Sequence, residues 1–267
     1  MKPLISIIIP TWNTARVTLK CVKTIQKHLK NFPYEIIIID NGSIDNTVKL
    51  LTPTSVRLIK NKQNLGFATA NNQAAKIAKS DYFLFLNSDM ELIDQSLIQM
   101  FAYLQNNKNI GCIGPKFLNP DMTSQASVFP SQTIANAFKE FWLGQKTYSK
   151  YTPKTKSPCP VEYISGGALL ISKSIFNQIG GWNEKYFFYY EDLDLCRAVH
   201  RLNRQVYYYP KCRIIHRHGF SGQSLADAKN QWRRLIPSSI KFHGYFKHYL
   251  INFIIWSGQK WQKLFQK

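Results

Sequence analysis

Two acidic groups, each directly behind a hydrophobic segment, carry the chemistry that this chain offers. Asn87-Ser88-Asp89 follows the apolar run Tyr82-Phe83-Leu84-Phe85-Leu86, and Glu191-Asp192-Leu193-Asp194 follows the aromatic run Tyr186-Phe187-Phe188-Tyr189-Tyr190. A carboxylate at the tip of a buried strand stands where α/β proteins place their ligands. Phosphate-bound Mg2+ or Mn2+ takes one or two carboxylates plus phosphate oxygens and water, which suits Asp89. Asn87 and Ser88 are polar but poorer ligands for such a cation. The second group suits a general base, because a hydroxyl is a weak nucleophile until a positioned carboxylate takes its proton. Both groups also have a plain structural reading. Asp89 is a candidate turn or helix cap, and the downstream acids complement a helix dipole at a first turn. Asp194 is also placed to cap or to form a salt bridge.

Other groups join these two. Asp40 ends the run Glu35-Ile36-Ile37-Ile38-Ile39. There it can accept hydrogen bonds from a ribose or a base imide, although Asp40-Asn41-Gly42-Ser43 is equally good turn chemistry and Asp45 is placed to cap the next helix. His216-Arg217-His218-Gly219-Phe220-Ser221 offers two imidazoles to a metal or a pyrophosphate. Gly166-Gly167 allows close backbone approach to a ligand, or a tight bend.

The elements that must position these groups read as alternating strands and helices. Leu4-Ile5-Ser6-Ile7-Ile8-Ile9 is a β-branched run ended by Pro10, as expected of a buried parallel strand. Thr14 is placed to cap a helix with Val17, Leu19, Val22, Ile25 and Leu29 on one side and lysines on the other. Glu35 to Ile39 and Val56 to Ile59 read as further strands. Asn64-Leu65-Gly66-Phe67 leads into an alanine-rich helix, Asp81 to Leu86 is a fourth strand, and a helix is expected over Asp94 to Gln105. This βαβαβ order predicts a doubly wound, mostly parallel sheet. Between Asn119 and Pro160 the pattern weakens, and Pro153 to Pro158 reads as an exposed loop. Structure returns over Val161 to Ile171. A short helix near Ser174 to Ile179 is expected to end at Gly180-Gly181, with a longer one over Glu191 to Leu202. Gln205 to Tyr209 and Arg213 to His216 read as two short strands.

The chain has 267 residues, with 45% apolar content and a formal charge of +20. That suits a folded domain with a sizeable core, whose surface attracts polyanions, anionic membrane or phosphate-bearing substrates. From Arg201 onward there are thirteen Lys and Arg but a single acid, Asp227, among many aromatic residues. This composition suits a membrane interface and would also suit single-stranded nucleic acid. The cysteines are odd in number and lack CxxC spacing, so no zinc site or disulfide framework is read. No signal peptide is read at the start. The late apolar run Tyr249 to Trp256 is too short to span a bilayer. The expected location is cytoplasmic, or peripheral on the inner face of the plasma membrane. No P-loop, no GxGxxG after the first strand and no GxSxG elbow is present, which removes kinases, dinucleotide oxidoreductases and α/β-hydrolases. A nucleotidyltransferase would need an acidic pair for two metals and a basic phosphate loop, which Pro10 to Arg16 does not offer.

Seven segments, in order, resemble family 2 glycosyltransferases of the GT-A fold, especially the bacterial rhamnosyltransferase-like branch that builds cell-surface polysaccharides. They are Ser6 to Asn13, Ile38 to Ser43, Asn64 to Ala68, Leu86 to Asp89, Ile164 to Ala168, Phe188 to Cys196 and His216 to Ser221. The resemblance implies an α/β GT-A domain over 1–222, with a nucleotide-sugar half over about 1–118 and an acceptor half over 119–222. A basic-aromatic helical extension, 223–267, is expected to associate with membrane. Pro10, Thr11 and Asn13 would line the nucleotide pocket, with Asp40 on the base or ribose and Asn64 and Gly66 near the sugar. Asn87, Ser88, Gly166 and Gly167 would complete the nucleotide-sugar site. Asp89 would be the last residue of the family's DXD motif and hold Mg2+ or Mn2+ on the diphosphate, where this chain keeps one acid in place of two. His216 would complete that metal or diphosphate site. Asp192 would be the base of an inverting transfer, with Glu191 beside it. The implied donor is dTDP-rhamnose or a UDP-sugar. The implied partners are a glycan or lipid-linked acceptor and an anionic membrane surface, with no nucleic acid. The alternative is a basic module that binds nucleic acid or membrane without catalysis.

Overall fold

The computed structural model describes residues 2–217 and 231–265. The first half runs β1 (Ile5–Thr11), α1 (Ala15–His28), β2 (Tyr34–Asp40), α2 (Thr47–Leu51), β3 (Arg57–Lys60), α3 (Phe67–Ile77), β4 (Tyr82–Leu86), β5 (Met90–Leu92), α4 (Ser96–Asn106) and β6 (Ile110–Leu118). Then follow β7 (Ser124–Gln125), β8 (Val128–Phe129), α5 (Ile134–Leu143), β9 (Cys159–Val161), β10 (Tyr163–Ile164), β11 (Ala168–Ser172), α6 (Lys173–Gln178), α7 (Glu191–Arg201) and β12 (Gln205–His216). Two helices close the chain, here α8 (Gln231–His243) and α9 (Tyr245–Phe265).

The isoleucine runs are continuous because their strands are covered on both faces. Alternate residues feed two cores. Ile7, Ile9, Ile38 and Leu84 pack with α1 and α4 on one face, while Ile8, Ile37, Ile39 and Phe85 pack with α3, α6 and α7 on the other. The large sheet has the order β3-β2-β1-β4-β11-β6-β12-β5, with β7 on β6 and β9 on β12. Its first half is parallel, whereas β11 runs antiparallel to both β4 and β6. The sheet is therefore mixed but keeps the expected doubly wound half. Thr11 lies opposite Asp40, and Ile8 opposite Phe85, so the tips of β1, β2 and β4 share one edge.

Several expectations are revised. The two short strands after Arg204 are one strand, β12, with a shifted register between Tyr209 and Arg213. Pro210, which lacks a ladder donor, stands in that irregular stretch. Thr14 precedes α1 but gives no side-chain cap. Instead Asp45 Oδ2 accepts the Ala15 N–H, and Asp45 Oδ1 accepts from Thr47 at the start of α2. The stretch that looked weak holds α5, capped by the Thr133 hydroxyl and ended by Gly144 in the left-handed region.

The last two helices pack on the rest. Arg197 lies 4.1 Å over the Phe242 ring, and Ser238 Oγ donates to the Phe188 carbonyl at 2.9 Å. Ile251 and Ile254 of α9 bury against Ala137 of α5. Among the described residues no helix is long and apolar enough to cross a membrane.

A Cβ on Gly258 would meet the Phe141 carbonyl oxygen at 2.5 Å, so α9 approaches α5 closely only through a glycine. Gly258→Leu is expected to cost about 1–3 kcal/mol by overpacking. A urea midpoint unchanged by that substitution would refute the contact.

Candidate active site

The strand tips, the head of α7 and the end of β12 enclose a cleft of about 390 Å³. Pro10 and Thr11 come from the tip of β1, and Asn87, Ser88 and Asp89 from the tip of β4. Asn64 and Gly66 lead into α3, and Gly166 and Gly167 stand just before β11. Glu191, Asp192 and His216 also line the cleft, so most of the expected residues meet there. His218 to Ser221 of the histidine motif lie outside the described residues.

Asn13 and Asp40 do not line it. Asn13 takes φ 51° and clips two loops together: its N–H donates to Ser43 Oγ, and its Oδ1 accepts from the Ile44 N–H. Asp40 is buried, with Oδ2 accepting the Ser43 N–H and Oδ1 without a hydrogen-bond partner. Asn41 turns to the cleft instead, donating to the Gly66 carbonyl at 3.2 Å.

Asp89 is buried, and its Oδ1 has no hydrogen-bond partner. His216 Nε2 lies 3.5 Å from that oxygen, because His216 pairs with Met90 in the β12–β5 ladder. The Gln125 amide donates to Asn119 Oδ1 and to the His216 carbonyl, so its oxygen faces His216 Nδ1 at 2.6 Å. Nδ1 therefore carries the proton toward Gln125, and in the neutral ring Nε2 presents its lone pair toward a carboxylate oxygen. Two acceptors converging in this way fit a cation between them. Among the described residues no group of three or more His, Cys, Asp or Glu side chains is arranged to hold one unaided. The donor set thus fits a divalent ion that takes its remaining ligands from a diphosphate and water. Ser88 Oγ meets Thr14 Oγ1 at 3.2 Å, and Thr14 in turn meets Thr11 and Thr18, so a buried hydroxyl cluster ties the β1 and β4 tips to α1.

The facing wall begins with a bent backbone. Tyr189 and Tyr190 both take positive φ, 70° and 67°, immediately before α7. Consecutive non-glycine residues there are strained, and they aim the head of the helix into the cleft. Gly66, with φ 85°, backs onto the same segment: a Cβ there would meet the Phe187 carbonyl oxygen at 2.8 Å. Asp192 Oδ2 accepts the Gly166 N–H at 3.0 Å, and Oδ1 accepts the Leu193 N–H at 2.9 Å. Burial raises the Asp192 pKa above the usual carboxylate range, opposed by those N–H groups and by Lys150. Glu191 is pushed well up, first by burial and then by the charge of Asp192, and its Oε2 has no hydrogen-bond partner. Burial thus disfavours charge on both members of the pair, while the two N–H donors and Lys150 favour charge on Asp192. Asp194 bridges Arg197 at 2.5 Å and stays out of the cleft lining.

Lys150 is the residue that sequence reasoning missed. It is the one Lys or Arg lining the cleft among the described residues. Its Nζ lies 3.4 Å from Ser165 Oγ and 4.9 Å from the Phe129 ring centre. The loop before it is pinned where Tyr148 and Ser149 N–H groups donate to the Glu140 carboxylate, and Tyr151 pairs with Val128. No local signal marks that arrangement. Gln132 and Phe129 reach the cleft from the same unread stretch.

The model of the family described as Glycosyl transferase family 2 matches residues 6–180. The chain is 27% identical over 208 residues to the N-acetylglucosaminyl-diphospho-decaprenol L-rhamnosyltransferase of Mycobacterium tuberculosis, covering 69% of this chain and 66% of that protein. It thus spans just under two thirds of that relative's length. Its fold is similar to that of a mannosyltransferase from Pyrobaculum calidifontis in complex with GDP-Man and Mn2+, with TM-score 0.61 and 13% identity over 93% of this chain and 63% of the other. GalNAc-T7 with UDP, GalNAc and Mn2+ gives TM-score 0.63 and 18% identity, over 79% of this chain and 43% of the other. These likenesses show the GT-A fold.

The raised pKa of Glu191 has a consequence for stability. Its folded pKa lies above its unfolded one, so its favourable contribution is complete at low pH and is lost as pH rises toward the folded value. Glu191→Gln removes that loss. It is expected to raise Tm more at pH 8 than at pH 5; an equal effect in thermal melts at the two pH values would overturn the assignment.

Proposed function

Because the chain belongs to glycosyl transferase family 2, we propose that its cleft takes a nucleotide-diphosphate sugar and transfers the sugar, with inversion, to a hydroxyl of a cell-surface glycan or lipid-linked acceptor. One observation carries this reading: the Asp89–His216 pair and the Asp192 carboxyl face a single cleft. The donor is dTDP-rhamnose or a UDP-sugar. The rhamnosyl relative supports the first, and the neighbour with bound UDP the second. The relative's name also includes a lipid-linked diphosphate acceptor, which supports an acceptor of that class here and a place at the inner face of the plasma membrane.

On this reading residues 1–222 form the catalytic unit and 223–267 an extension. Pro10, Thr11, Asn13, Asn64 and Gly66 shape the nucleotide end. Asp40, buried behind that end, holds its loop by accepting the Ser43 N–H, and Asn41 faces the cleft in its place. Asn87, Ser88, Gly166 and Gly167 form the floor beneath the sugar. Asp89 and His216 would hold Mg2+ or Mn2+, which when bound neutralises charge on the leaving diphosphate. Asp192 takes the acceptor's proton as its oxygen attacks the anomeric carbon from the face opposite the diphosphate. The carbon–oxygen bond to the diphosphate breaks, and the nucleoside diphosphate leaves. Glu191, keeping its own proton, leaves Asp192 as the only charge of the pair.

Asp192→Asn is expected to lower kcat by about 10²–10⁴ with donor affinity retained; wild-type turnover from that variant would sink the assignment. The wild-type rate should fall as pH drops through the raised Asp192 pKa, because protonation removes the base, giving an acid limb above the usual carboxylate range. A limb at the ordinary carboxylate value would contradict the buried base.

Calorimetric titration with UDP, dTDP and GDP, with and without Mn2+, tests the donor side. One nucleotide should bind in a metal-dependent way, and Asp89→Ala should abolish the metal dependence. Binding to none of them, with salt-sensitive binding to nucleic acid, would replace the transferase reading with the basic module.

A further inference from the structure

We propose that the outward face of α9 is a docking surface for an anionic lipid bilayer, placed so that docking holds the cleft mouth at the membrane. The choice of bilayer rests on the lipid-linked acceptor proposed above; the surface itself rests on the following geometry.

The helix has two apolar faces. One is used: Ile251 and Ile254 pack on α5, and Gly258 sits against Phe141. The other carries Phe246, Tyr249, Phe253, Trp256 and Leu264, which are 58 to 80% exposed. Their spacing of three, four, three and eight residues lines them up along one side of a helix, opposite the buried face. A folded helix that has already buried one stripe gains nothing in water from a second, so the second marks an interaction surface.

The chemistry of the stripe selects the partner. Lys260 falls between Trp256 and Leu264 on the same side, Lys247 and Lys263 lie on the same helix, and α9 contains no Asp or Glu. Tyr and Trp with interspersed lysines suit the headgroup region, where rings enter the apolar boundary and ammonium groups meet lipid phosphates. The charge of +20 adds long-range attraction to an anionic surface. The apolar area continues onto α5, where the exposed Phe138 stacks on Trp142, which stacks on Trp261.

The stripe begins beside the cleft. Phe242, near the end of α8, packs 5.3 Å from Tyr190, the residue that precedes Glu191 and Asp192. Gly244 turns the chain with φ 82°, and the exposed Tyr245 and Phe246 follow at once. From there α9 runs for about 30 Å, given its 21 residues. A bilayer along that face would lie next to the wall that carries the base.

The full chain is to be co-sedimented with vesicles of phosphatidylcholine alone and of phosphatidylcholine mixed with phosphatidylglycerol, at low and high salt. Strong partitioning onto the anionic vesicles, weakened by salt, is expected. Phe246→Ser/Phe253→Ser/Trp256→Ser should lower it by about tenfold or more with an unchanged circular dichroism spectrum. Lys260→Glu/Lys263→Glu should weaken binding to the anionic vesicles only. The Asp192→Asn chain should dock as the wild type does, so loss of transfer and loss of docking are read separately. The proposal is overturned if the wild type stays in solution with both vesicles, or if the triple serine variant docks undiminished. It is also overturned if light scattering shows a dimer that the triple variant dissociates without any vesicle binding, which would assign the stripe to a second copy of the chain.

Discussion

Glu191 and Asp192 sit side by side at the head of α7, where burial opposes the ionisation of both. Two adjacent charges there would repel each other with little solvent to screen them. The surroundings resolve this by giving Asp192 more hydrogen-bond donors than Glu191. The Gly166 and Leu193 N–H groups point at Asp192, and Lys150 stands on the same side, while Glu191 Oε2 receives nothing. The close approach of Gly166, the strained turn at Tyr189 and Tyr190, and the pinned loop before Lys150 all serve that asymmetry.

The opposite wall solves a complementary problem. Asp89 and His216 bring two electron-rich atoms together with no proton donor between them in the neutral state. The cost is met by sheet pairing, since the β12–β5 ladder and the Arg217 N–H bond to the Asp89 carbonyl fix both residues irrespective of side-chain preference. Backbone hydrogen bonds thus set the separation of these two side chains without help from a ligand.

How much of this was legible follows from the range of the forces involved. The strands β1, β2 and β4 show in the sequence because burial on both faces demands unbroken apolar runs. Their tips show because polar residues end those runs. Asp192 shows because acids at a helix head stand out behind five aromatic residues. Lys150 does not show: it reaches the cleft through Glu140 gripping the Tyr148 and Ser149 amides and through Tyr151 pairing with Val128, contacts that no local pattern encodes. The same holds for β6, which needs β11 and β12 as neighbours before it is a strand at all. At the end of β2, a carboxylate at a strand tip was legible, but not which of two consecutive side chains would turn inward. The Asn41 bond to the Gly66 carbonyl settles that, and it depends on a loop some distance along the chain.

That glycine loop links the two halves of the cleft. The Phe67 N–H donates to the Phe187 carbonyl at 3.2 Å, and Gly66 leaves no room for a side chain at the contact. The first turn of α3 and the aromatic segment ahead of α7 thus meet backbone to backbone, with no compliant side chain between them to absorb a shift. If one moves, the other moves or the bond breaks. A ligand that displaces either segment changes the free energy of filling the opposite half, and thermodynamic reciprocity makes the effect equal in both directions. Cooperativity between the two compartments would then be a property of the main chain, insensitive to which side chains later line them.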